Sequence, residues 1–170
     1  MKEILKDASA SHLFCIVSFD DTESYYNAKS QLEKQFSDVV FESNQMPKWK
    51  NEFNAPSGKQ SRIISFKRKI NREELPLIKN KCHKLQEKFN KAEPLLRIIP
   101  GYLSAHNVII ASSNDDYQRI YLFHGVYAEI VYKYEKQRML PMETAPEFFK
   151  SADPVYFFTN LREAHVQTLQ

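Results

Sequence analysis

Arg97–Glu129 reads RIIPGYLSAHNVIIASSNDDYQRIYLFHGVYAE. The stretch holds two of the chain's three glycines and its densest apolar runs, and its second half has a clear strand–turn–strand pattern. If Phe123-His124-Gly125 is a three-residue loop, Gly125 takes the left-handed position that such loops favour. Leu122 then faces Val126, Tyr121 faces Tyr127, Ile120 faces Ala128 and Arg119 faces Glu129. One face of the hairpin is apolar; the other carries two tyrosines and an Arg–Glu pair. A two-residue turn would set Arg119 against Ile130, so side-chain alternation selects the longer loop.

The pair Arg119–Glu129 has two readings. As structure it is a cross-strand ion pair, worth roughly 0.2–1 kcal/mol. As function, Arg119 holds a carboxylate or phosphate in its bidentate fork while Glu129 orients it or acts as a base. Arg97 and Tyr102 bracket Pro100-Gly101, and a turn there would bring them to the same face. Arg97, Tyr102, Arg119, Tyr121, Tyr127 and Glu129 are therefore the candidate ligand-binding residues.

Upstream, Leu13–Phe19 (LFCIVSF) is an apolar run of β-formers, followed by Asp20 as a helix cap with Glu23 three residues on. Tyr25, Ala28 or Lys29, Leu32 and Phe36 recur at helical spacing. Val39–Phe41 and Arg62–Phe66 read as strands, separated by a long irregular segment, 44–60, that carries the only tryptophan, Trp49. Asn71 and Glu74 match a capping box, and Pro76 suits a first helical turn. The helix that follows has its apolar stripe at Ile78, Cys82, Leu85 and Phe89, with Lys81, Lys84, Lys88 and Lys91 forming a basic face. Leu95–Ile99 is a fourth strand.

The expected fold is α+β in a single domain, 1–170. Residues 12–100 form a ferredoxin-like βαββαβ half; residues 101–170 add antiparallel hairpins and a C-terminal helix. In that helix Asp153 caps, Pro154 takes the first position, and Phe157 or Phe158, Leu161, His165 and Leu169 give the apolar side.

Composition narrows the chemistry. With 170 residues, 42% hydrophobic and 13% aromatic, the chain is globular in type. No apolar run approaches membrane-spanning length, and the first residues do not read as a secretion signal. Cys15 and Cys82 read as reduced, buried thiols of a cytoplasmic protein. Net charge is +3, yet residues 59–91 hold eleven Lys or Arg against three Glu. That imbalance is either a solvated helix face or a surface for an acidic partner. Three glycines leave no P-loop or dinucleotide fingerprint, no two histidines have the i, i+4 spacing of a helical zinc site, and there is no nucleophile elbow. No metal or cofactor is implied.

PGYL (100–103), RIYL (119–122) and GVYAE (125–129) resemble the prokaryotic domain-of-unknown-function family 4416, and LF at 13–14, ES at 42–43, SF at 65–66 and IK at 78–79 extend the resemblance along most of the chain. The family pattern has an Asp before PGYL, a His before RIYL and an Asn in the helix after IK; here Ile99, Gln118 and His83 stand there. It also has a Thr-Asp-Tyr-Tyr segment in the loop and Trp-Thr-Tyr-Pro-Asp near the end, replaced here by NEFNAPSG and by Glu143–Glu147. The resemblance thus implies a divergent member that keeps turn and apolar positions and loses polar ones, and it implies no activity. Three functions follow from the residues: a binding protein for an anionic small molecule or acidic protein partner; a hydrolase- or transferase-like enzyme with Glu129 as base and Arg97 and Arg119 as anion clamp; and nucleic-acid contact through residues 59–91.

Overall fold

The computed structural model describes residues 1–47, 60–91 and 96–169. Its frame is β1 (Ser11–Phe19), whose nine residues are all buried. Alternation divides them: Leu13, Cys15, Val17 and Phe19 enter one core, Phe14 and Ile16 the other. Such a strand must be covered on both faces. Helices α1 (Thr22–Gln35) and α2 (Leu75–Phe89) cover the first face, through Tyr25, Ala28, Leu32, Ile78 and Cys82. Helix α3 (Ala152–Gln167) covers the second, through Phe158 and Leu161.

The remaining strands are β2 (Val39–Glu42), β3 (Met46–Pro47), β4 (Gln60–Ile70), β5 (Leu96–Leu103), β6 (Asn107–Ser112), β7 (Arg119–Tyr121), β8 (Tyr127–Glu135) and β9 (Arg138–Pro141). They form one antiparallel sheet in the order β2-β4-β1-β5-β6-β8-β7, with β3 added on β4 and β9 on β8. The fold is therefore mixed α+β, built on a single nine-stranded sheet with three α-helices among the described residues. No helix among those residues is long and apolar enough to cross a membrane.

Local signals are met with small shifts. The cap of α1 is Asp21, one residue beyond Asp20, because the Asp21 carboxylate accepts from the Ser24 N–H at 2.8 Å. Glu74 accepts from the Asn71 N–H at 2.8 Å, the reciprocal half of a capping box. Ser151, not Asp153, occupies the cap of α3; Asp153 and Pro154 lie within the first turn, where the N–H that proline lacks has no helical partner to lose. Leu169 is exposed and adds nothing to the apolar side. Trp49 and Leu95 lie outside the described residues.

The largest departure is at Pro100-Gly101, which is not a turn. β5 runs through it without a break, so Arg97 and Tyr102, five residues apart, point to opposite faces. Glycine is required here for space. A Cβ at Gly101 would lie 2.2 Å from the Ile109 carbonyl oxygen and 2.5 Å from the Phe14 ring. At Gly125 the requirement is backbone conformation, φ +77° with nothing within 4 Å of an added Cβ. Gly101→Ala should therefore cost about 1–3 kcal/mol or more, since backbone must move, and Gly125→Ala about 1 kcal/mol. Urea unfolding of the two variants checks this order, and Phe14→Leu should not rescue Gly101→Ala because the carbonyl clash remains.

A buried histidine pair ties α3 to β1. His12 and His165 share an Nδ1–Nδ1 hydrogen bond of 2.7 Å, so one ring donates and the other accepts. Burial, then the neighbouring His165 and Lys69, pull the His12 pKa down to about 4. Burial, with Lys69, Arg72 and Arg162, also lowers that of His165. The native pair is neutral, and the unfolded chain takes up protons first as pH falls. Stability should be level above about pH 6.5 and drop on the order of 3 kcal/mol from His12 alone as pH falls towards 4. Urea midpoints of wild type and His12→Gln between pH 7.5 and 4.5 test this; the variant should show the shallower acid slope.

Candidate functional site

The site begins with a missing hydrogen-bond donor. Along β5, Leu96, Ile98, Pro100 and Tyr102 turn their backbone groups to the edge away from β1. Only Tyr102 meets β6 there, since β5 and β6 pair over Gly101–Leu103 and Val108–Ile110. Pro100 has no N–H to offer, and pairing stops beside it. Side chains from the end of α2 replace the absent strand. Asn90 both accepts from the Leu96 N–H (3.0 Å) and donates to its carbonyl (2.7 Å), and Gln86 accepts from the Ile98 N–H at 2.9 Å. The sheet is thus parted at Pro100, while β6 continues against β8 as far as Ser112.

On the α3 face beside this parting lies a polar strip. Arg97 is 8% exposed and stands opposite Ser18 on β1, which stands opposite Ser61 on β4. The Ser18 and Ser61 hydroxyls are 2.9 Å apart. Burial lowers the Arg97 pKa to about 10, which leaves the guanidinium charged at neutral pH. From α2, partly exposed Lys79 is close enough to feel that charge. Its pKa falls to about 8, chiefly by burial of the amine; the neighbouring Cys82 and Cys15 oppose the fall and Arg97 adds to it. Burial pushes the Cys15 thiol pKa well up, aided by the adjacent Cys82, so the Cys15 thiol is a poor nucleophile.

The hairpin has the register that its side-chain alternation predicts, Arg119 opposite Glu129 and Tyr121 opposite Tyr127, with Gly125 at positive φ. Arg119 Nε donates to Glu129 at 2.8 Å, with side chains only 7% and 1% exposed. Arg119 Nη1 also donates to the Asn114 carbonyl at 3.1 Å. Glu129 pairs with Ile110 in β6 and so belongs to the α3 face, the face of Arg97. The strand register places Arg119, Tyr121 and Tyr127 on it as well. Tyr102 is on the other face, packed with the α1–α2 core and 5.8 Å from the Arg72 guanidinium. Lys81, Lys84, Lys88 and Lys91 are all exposed and form a solvated ladder.

Sequence reasoning missed Lys79, Gln86, Asn90 and the Ser18–Ser61 pair. The available signal was Pro100 itself: a proline inside an apolar strand marks a place where one edge lacks a partner. Among the described residues no group of three or more His, Cys, Asp or Glu side chains is arranged to hold a metal ion.

The model of the domain of unknown function DUF4416 matches residues 9–165. The chain belongs to the DUF4416 family. No curated protein and no solved structure matches it. Ile99 packs in the α3-face core two residues from Arg97, and the Gln118 amide reaches Glu129 at 3.5 Å.

The burial of Arg119–Glu129 sets a measurable expectation. Removing one partner strands the other in a low-dielectric setting, so Arg119→Ala and Glu129→Ala should each cost about 3–5 kcal/mol. Lys133→Ala, at the exposed Lys133–Glu135 pair (3.3 Å), should cost under about 1 kcal/mol. A double-mutant cycle for Arg119 and Glu129, read by urea unfolding, checks the coupling.

Proposed function

We propose that this DUF4416 member binds an anionic small molecule on the α3 face of the sheet, with Arg97 as the principal charged contact. The observation that carries this is a buried guanidinium set in line with the Ser18 and Ser61 hydroxyls. Charged side chains are costly to bury and concentrate where they meet a specific partner. Arg119, already bound to Glu129 and to the Asn114 carbonyl, serves to position that carboxylate more than to clamp a ligand. An acidic protein partner is the larger version of the same chemistry.

A second reading, transferase- or hydrolase-like catalysis, draws support from Lys79, whose lowered pKa of about 8 suits proton transfer near neutral pH. Glu129 is engaged by Arg119 at 2.8 Å. Two further features belong to the proposal. The order β2-β4-β1-β5, all antiparallel, supports a ferredoxin-like first half, with α3 added on the face opposite α1 and α2. The two free, buried cysteines support residence in the cytoplasm.

Thermal-shift measurements against inorganic phosphate, nucleoside phosphates, phosphosugars and dicarboxylates test the anion site. At least one should raise the Tm of the wild type, and Arg97→Met should remove that shift while Lys84→Met keeps it. No shift with any of them, or an equal shift in Arg97→Met, would overturn the reading.

A further inference from the structure

A cleft of about 280 Å³ opens between the end of β2 and the first half of α3, away from Arg97. Phe41, Tyr156 and Phe157 wall it, and Asn44, Asn160 and Asp153 supply its polar side chains. Glu42 also borders the cleft, but its carboxylate is occupied on the other face of the sheet by the Tyr25 hydroxyl, by Lys29 (3.1 Å) and by Arg62 (3.3 Å). Among the described residues no Lys, Arg or His lines the space, and Asp153 makes no ion pair. Tyr156 is 74% exposed although it is a large aromatic on a helix that packs against the sheet.

We infer that this cleft is a binding site for a small organic cation with an apolar body, an alkyl- or arylalkyl-ammonium. The volume is close to the lower end of ligand sites, about 300 Å³. Aromatic faces attract a cation through their quadrupole, and the Asp153 carboxylate at the rim supplies the countercharge. Asp153 stands in the first turn of α3, where the helix N-terminus favours negative charge. An anion would meet Asp153 with no compensating base. A neutral apolar guest would cover a carboxylate and return nothing for its lost water. The amides of Asn44 and Asn160 suit the polar groups of such an ammonium ligand; the Asn160 amide already donates to the Tyr156 carbonyl (2.9 Å), which fixes its orientation beside the ring.

The inference does not rest on the anion site. Its test compares phenethylammonium with 2-phenylethanol, and choline with 3,3-dimethylbutan-1-ol, by calorimetry and by amide chemical-shift mapping of the full chain. The charged member of each pair should bind at least roughly tenfold more tightly than its neutral counterpart and shift amides of residues 41–44 and 153–161. Asp153→Asn should remove the charge preference, Tyr156→Ala should weaken binding, and Arg97→Met should leave it unchanged. Asp153 and Tyr156 are both exposed, so unaltered melting curves will separate lost binding from lost fold. Equal affinity for charged and neutral probes, shifts confined to other residues, or no binding at millimolar concentration would each overturn the inference.

Discussion

A proline in the middle of a central strand fixes the character of this molecule. β5 has neighbours on both sides, yet Pro100 has no N–H for the neighbour that β6 would provide. The chain resolves the conflict by ending the β5–β6 ladder one residue away and closing the bare edge with Gln86 and Asn90. Buried backbone groups must find partners, and here side chains of α2 are those partners. The parting of the sheet beside Pro100 follows from that missing donor.

The neighbouring Gly101 has the opposite task, bringing β1, β5 and β6 close. Phe14 from β1 lies across it, and the Ile109 carbonyl approaches where a side chain would stand. Within two residues β5 thus separates from one partner and packs most tightly against others. Covering both faces of β1 then requires helices on both sides, which divides the interior into two apolar clusters. The ionic groups of Arg97 and Arg119–Glu129 are on the α3 side, beside the parting and not under α1 and α2.

The two buried arginines differ in their surroundings. Arg119 faces a carboxylate at 2.8 Å, so its charge is balanced within the hairpin and its geometry is set by a local register. Arg97 stands in register with Ser18, whose hydroxyl meets that of Ser61. The hairpin was legible because its partners are ten residues apart and joined by a loop whose length the alternation selects. The surroundings of Arg97 were not, because Ser18, Ser61 and Lys79 come from three distant elements.

By itself the sequence determined what local physics controls: the periodicity of the three helices, the capping box at Asn71, the strands of the second half and the register that sets Arg119 against Glu129. Tertiary structure alone decided whether Pro100-Gly101 would turn or continue. A proline–glycine pair is compatible with either, and the choice rests on whether an edge partner is present and whether Phe14 needs the space above Gly101. Once the strand continues, alternation carries the consequence along β5: Arg97 and Tyr102 are an odd number of residues apart, so one joins the polar strip and the other is buried beneath the helices.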